Sequence, residues 1–346
     1  MPDNQPGSCG RVIYFDALNV LACFGVVAMH VNGLTHNFRY SLRWVQALSV
    51  DCLFYWAVPV FFMLSGATLL GYRSRYSTRD FLKKRFMRTF VPFLSWSLIT
   101  YAWLRLTGQS ETLTLSSLLE AIINNKLNSR YWFFAPLFAA YLCIPVLSLV
   151  AENKRVLEYA IGAGFLVNIA APFAAGLVGL AWNGAFALEV VGGYLLYLFV
   201  GYWLANNEIP RRIRLLIYVL AVALTAYRFF GTVLASYDSG SLVKIGWGYN
   251  SVPAFVESVA VFVLVKSLMA RREVSGECSQ LLSRMAACSF GVYLVHSIVI
   301  WHIQALTGFN GLSNVWRLGG PAVVYLVCLA LVWLGRKPRK LWWLFP

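Results

Sequence analysis

Along the chain, long apolar runs alternate with short polar stretches. A helix needs roughly 20 apolar residues to cross the hydrocarbon core of a bilayer. Ten such runs can be read, at 12–32, 51–71, 89–107, 131–150, 156–177, 187–205, 215–235, 251–270, 286–305 and 319–335. The pattern predicts an all-α, polytopic membrane helix bundle. The least regular stretch is 171–186, which is rich in Gly and Ala and contains Pro172; a count of nine or eleven is the alternative there. The polar segment 108–130 has room for one short helix around 116–123 outside the membrane. Residues 1–335 read as a single membrane-embedded domain. The tail 336–346 is basic and then aromatic, with Trp342, Trp343 and Phe345. It suits either the interface beside anionic lipid or a short disordered end.

Charge orients this pattern. With the N-terminus inside, the inner segments carry Arg11, the cluster Arg73 to Arg88, Lys154, Arg155, Arg211, Arg212, Arg214, Lys266, Arg271, Arg272, Arg284 and the tail cations. The outer segments and ends carry only Arg39, Arg43, Arg105, Lys126, Arg130, Arg228, Lys244 and Arg317. The positive-inside rule therefore predicts both termini on the cytoplasmic side of a bacterial inner membrane. A single missed helix in the middle would spoil the alternation.

Composition agrees. Residues are 59% hydrophobic and only 12% charged, against about 25% charged in a soluble domain. The net charge of +15 is read as membrane loops rather than as a nucleic-acid surface. The seven cysteines have no CxxC spacing, which argues against a metal site, and their odd count argues against a complete disulfide framework. The first run lacks an AxA-like cleavage site and contains Asp16 and Asn19, as a retained helix would.

Polar side chains inside a membrane are costly and usually face a bundle interior or an aqueous cavity. The first run holds Asp16, Asn19 and His30. Asn19 and His30 lie about 16 Å apart along a helix and about 20° off one face. A lone helical histidine is more often structural, but the other polar residues of this stripe favour a polar path. In the ninth run Ser289, Tyr293 and His296 share a face, and His302 follows near its end. The second run contains Pro59, Ser65 and Gly66, where small residues permit close helix approach. Asn168, Glu189 and Glu257 are further buried candidates. Arg85 and Arg88 are spaced to meet on one helical face at the inner border. Two such forks suit a phosphate or pyrophosphate, although any basic loop there satisfies topology.

Five segments resemble, in order, the acyltransferase family 3 of integral membrane acyltransferases. YFDALNVLACFGVVAMH is similar to the family's first helix, which reads aspartate, two residues, arginine, ten residues, histidine. VPVFFMLSGATLLGYRSR resembles its FFxxSG helix, FLKKRFMR its RxxR element, YWFFAPLFAAYLCIP its fourth helix, and SFGVYLVHSIVI its S-x-x-Y-x-x-H helix. The likeness spans residues 11 to about 305 and is nearest to the enterobacterial-common-antigen O-acetyltransferase type. One position departs: Asn19 stands where the family has arginine, and it supplies no charge.

The resemblance implies transfer of an acyl group, often acetyl, from cytoplasmic acyl-CoA to a saccharide or lipid-linked glycan hydroxyl. Acyl-CoA is then a donor substrate, with no tightly bound cofactor. Carried across residue by residue, the early histidine is His30, the RxxR pair is Arg85 and Arg88, and the late histidine is His296. Such transfer needs a base, donors for the oxyanion and a grip on CoA. His30 is expected as base, with His296, Tyr293, Asn19 and Asp16 around it, and Arg85, Arg88 and Ser65 on the donor. The rival reading is a transporter or flippase for a lipid-linked sugar or small anion; a third is an inactive member that binds a partner.

Overall fold

The computed structural model describes residues 12–270, 276–309, 311–341 and 343–346, without the side chain of Arg339. Arg11, Cys9, Arg271, Arg272 and Trp342 lie outside the described residues.

The described chain is helical throughout, with no strand. In order it forms α1 (Ile13–Val31), α2 (Leu42–Phe54), α3 (Ala57–Leu69), α4 (Thr78–Arg85), α5 (Val91–Leu106), α6 (Leu115–Ile123) and α7 (Phe134–Glu152). There follow α8 (Lys154–Phe165), α9 (Ala171–Leu177), α10 (Gly193–Asn206), α11 (Arg211–Ser239), α12 (Val252–Met269), α13 (Gly276–Thr307) and α14 (Asn314–Gly335). The polar stretches start these helices. Side chains of Ser41, Ser77, Thr114, Asn153, Ser251 and Ser313 each accept a backbone N–H of the first turn, which satisfies a donor that has no intrahelical partner. Gly240, with φ 69°, closes α11 in the left-handed region.

Two π-helical turns join neighbouring helices, at Phe86–Phe90 and Leu166–Ala170. Each lies just ahead of a proline, Pro92 and Pro172. A helical proline removes one donor and crowds the carbonyl four residues back, here Arg88 and Asn168. Widening the turn relieves that contact.

Eight helical segments among the described residues are long and apolar enough to cross a membrane. They match eight of the ten expected runs. The other two runs are the shorter helices α5 and α10. The run expected from 187 becomes α-helical only at Gly193, and Glu189, expected to be buried, is exposed in the short 3-10 turn Glu189–Val191. The short polar-segment helix is α6.

Side-chain contacts fix the relative directions. α1 and α13 run parallel: Asp16 meets Ser283, Cys23 meets Ser289 and His30 meets His296. α3 and α10 also run parallel, through Phe62–Tyr194, Gly66–Leu198 and Gly71–Tyr202. α11 and α12 are antiparallel, through Arg228–Glu257 and Tyr218–Ser267. So are α13 and α14, through Gly291–Val332 and Ala287–Arg336. Every one of these relations suits a chain that reverses at each of the ten expected runs.

The core lies where α1, α3, α10 and α13 meet. α10 is short and buries Leu196 to Gly201 without a break. It touches α3 backbone to backbone. A Cβ on Gly66 would stand 1.9 Å from the Leu198 carbonyl oxygen, and one on Gly201 2.0 Å from that of Met63. After α14 the tail turns back on α5: Trp96 Nε1 donates to the Leu344 carbonyl at 3.0 Å, and Phe345 packs on the Trp96 ring.

Candidate functional site

The parallel pair α1 and α13 carries the two histidines to the same level. His30 Nδ1 lies 2.8 Å from His296 Nε2, and the two ring planes are inclined by only 11°. His296 is fully buried. Its Nδ1 is 2.6 Å from the carbonyl oxygen of Tyr293, one turn earlier. A carbonyl only accepts, so the proton of a neutral His296 sits on Nδ1. Its Nε2 is then an acceptor, and His30 Nδ1 donates to it. This order leaves a bare lone pair on His30 Nε2.

The turn before α7, Ser129–Phe133, is clamped against this level of α13. Tyr131 donates its hydroxyl to the Leu294 carbonyl at 2.7 Å, and the Tyr293 hydroxyl donates to the carbonyl of Arg130. Phe133 and Phe134 pack on the Tyr293 ring. Tyr293 therefore holds the site together through its hydroxyl and sets the His296 tautomer through its carbonyl.

His30 opens onto a cavity of about 220 Å³. Asp51, His36 and Lys244 supply its polar groups, and Trp132, Trp247 and Tyr249 its rings. Trp132 and Tyr55 each stack on Tyr249, with centroids 5.7 and 4.9 Å away. Desolvation and the neighbouring Lys244 charge hold the His36 imidazole below its usual pKa. Flat aromatic faces beside a few polar groups suit a sugar ring, which has apolar faces and a polar edge.

The remaining expected residues fall elsewhere. Asp16 accepts the Ser283 hydroxyl at 2.6 Å, about 21 Å along α1 from His30; it ties α1 to α13. Asn19 is partly exposed on α1. Ser65 donates to the carbonyl of Phe61 on its own helix, and Gly66 serves the α3–α10 contact. Ser289 lends its carbonyl to Cys23. His302 lies by Trp103 and Trp301, exposed.

Arg85 and Arg88 do not share one helical face. The π-turn ahead of Pro92 separates them: Arg88 is exposed, whereas Arg85 reaches inward towards the Phe81 and Tyr141 rings. Buried Glu257 pairs with Arg228 at 2.6 Å, and Asn168 holds both backbone groups of Leu188. Among the described residues no group of three His, Cys, Asp or Glu side chains is placed to hold a metal.

The sequence reading missed Asp51, His36, Lys244, Trp247 and Tyr249. Asp51, an acid at the head of an apolar run, was a readable signal. The others sit in loops, where polar and aromatic residues are ordinary.

The chain matches the model of an acyltransferase domain over residues 12–336, and it belongs to acyltransferase family 3. No curated protein and no solved structure matches it.

Proposed function

We propose that this chain moves an acetyl group from cytoplasmic acetyl-CoA to a hydroxyl of a cell-envelope saccharide or lipid-linked glycan. The observation that carries this reading is the bare Nε2 of His30, held by a defined hydrogen-bond order at the mouth of an aromatic cavity. A neutral imidazole there accepts the acceptor's hydroxyl proton. The resulting oxygen attacks the thioester carbonyl carbon. The C–S bond then breaks, and the departing CoA thiolate takes the proton back from His30. No covalent acyl-enzyme is needed.

The distribution of Lys and Arg supports both termini in the cytoplasm, at a bacterial inner membrane. Arg88 is then exposed near the inner surface, where we place the charged end of CoA, and Arg85 is turned inward against α7. Arg85 approaches Tyr141, seven residues or about 10 Å along α7 from Phe134, which packs on the Tyr293 ring. The two arginines thus line a route towards the histidines rather than one phosphate clamp.

Purified protein with labelled acetyl-CoA and candidate glycan lipids tests the reaction. His30→Ala is expected to lower transfer by about 10²–10⁴-fold. Intact transfer in folded His30→Ala protein rejects the base. Glycan-lipid movement without label transfer in the parent supports a transporter instead.

A further inference from the structure

His30 stands in the wall between two cavities of unlike charge. The aromatic cavity is lined by an acid, Asp51, as well as by Lys244. The second cavity, of about 290 Å³, is lined by His30, Asn37, Arg39, Arg130, Gln304 and apolar neighbours, and no acid lines it. Among the described residues neither the Arg130 nor the Arg39 guanidinium makes a hydrogen bond or ion pair. Two unpaired cations at one concave site repel each other and favour an anion between them.

Arg130 is also held in position. Its N–H donates to Asn128 Oδ1 at 3.2 Å, and its carbonyl receives the Tyr293 hydroxyl. The same short turn therefore sends Arg130 into one cavity and Trp132 into the other, on either side of His30. Arg39 enters from the segment that follows α1. The guanidinium forks match an oxyanion in two-point contact, and the amides of Asn37 and Gln304 add donors.

We infer that the acceptor is an anionic saccharide that straddles His30. Its sugar ring lies on the Trp132 and Tyr249 side, and its phosphate or carboxylate lies against Arg130 and Arg39. This rests on the acyl-transfer reading above and names the acceptor's chemical class. Anchoring charge and ring on opposite sides of the base would fix which hydroxyl faces His30 Nε2.

The test is an anion titration by calorimetry on the full chain in phosphatidylcholine nanodiscs. Arg85→Gln and Arg88→Gln are present throughout, so that the donor-side arginines contribute nothing. Inorganic pyrophosphate and glucuronate are the probes. At least one is expected to bind, and Arg130→Gln to weaken it about tenfold, the usual scale for a lost charge-assisted hydrogen bond. Arg130→Lys is expected to fall between. Tighter pyrophosphate identifies a phosphate-bearing acceptor; tighter glucuronate identifies a sugar acid. If neither binds, or if Arg130→Gln protein of unchanged thermal midpoint binds as the parent does, the anion site is rejected. Failure of the base reading is distinguishable. It appears as undiminished acetyl transfer by His30→Ala, whereas the anion site is read from the Arg130 variants alone.

Discussion

A carbonyl oxygen sets the chemistry of this site, because it dictates where the His296 proton resides and hence which His30 nitrogen is bare. Removing His296 should leave His30 free to rotate and to exchange tautomers. His296→Ala is therefore expected to lower kcat by about tenfold or more, the scale of one lost buried hydrogen bond, with KM for acetyl-CoA unchanged. His296→Gln, whose amide oxygen still accepts from His30 Nδ1, should recover part of the rate. Steady-state assays on the three proteins check this order, and equal rates for all three would reject it. The two histidines were legible in the sequence because imidazoles stand out in apolar runs. Their pairing was not, since the rings are 266 residues apart in the chain. The Arg85–Arg88 spacing suggested one face, but it assumes a regular helix. The π-turn ahead of Pro92 breaks that assumption, and only the proline hinted at it.

The helices themselves were legible because a bilayer demands long apolar runs, and hydropathy reads length directly. α10 departs from that rule in being short, and its packing explains why it still belongs in the core. Gly66 and Gly201 let α3 and α10 approach until each backbone occupies the space of the other's missing Cβ. In lipid there is little hydrophobic gain from helix association, so such close packing carries much of the attraction. Gly66→Ala would place a methyl carbon inside the Leu198 carbonyl, which cannot move without distorting α10. Overpacking of this kind costs about 1–3 kcal/mol or more, and the thermal midpoint in detergent should fall accordingly. Gly162→Ala on α8 is the control: a Cβ there meets nothing within 4 Å, and alanine is the better helix former. If the two variants melt alike, the α3–α10 contact is not the constraint described.

At the scale of the whole molecule, α11 is the least buried of the eight long apolar segments among the described residues. Its buried residues are Arg228, Thr232 and Ser236, so polar contacts attach it. Arg228 pairs with Glu257 and donates to the Gly246 carbonyl, while Thr232 and Ser236 accept from the loop that frames the aromatic cavity. Arg228→Met would leave Glu257 buried without its partner and is expected to cost about 3–5 kcal/mol. Adding Glu257→Gln should return part of that loss, and equal instability of the single and double variants would refute the pairing argument. This polar stripe also bears on orientation, because it fixes the 241–251 loop at the His30 end of the bundle. The contacts make α1 parallel to α13 and α3 parallel to α10, which requires an odd number of passes between the members of each pair. Ten passes with both termini inside satisfy that condition and put Ser241 outside and Ser77 inside. In a chain stripped of its native cysteines, Ser241→Cys should react with a membrane-impermeant maleimide on intact spheroplasts. Ser77→Cys should react only after permeabilisation. The reverse result would invert the molecule, placing His30 on the cytoplasmic half and the Arg88 end outside, away from acyl-CoA. Labelling of both residues before permeabilisation would mean that an even number of passes separates them, and the ten-pass count would fall.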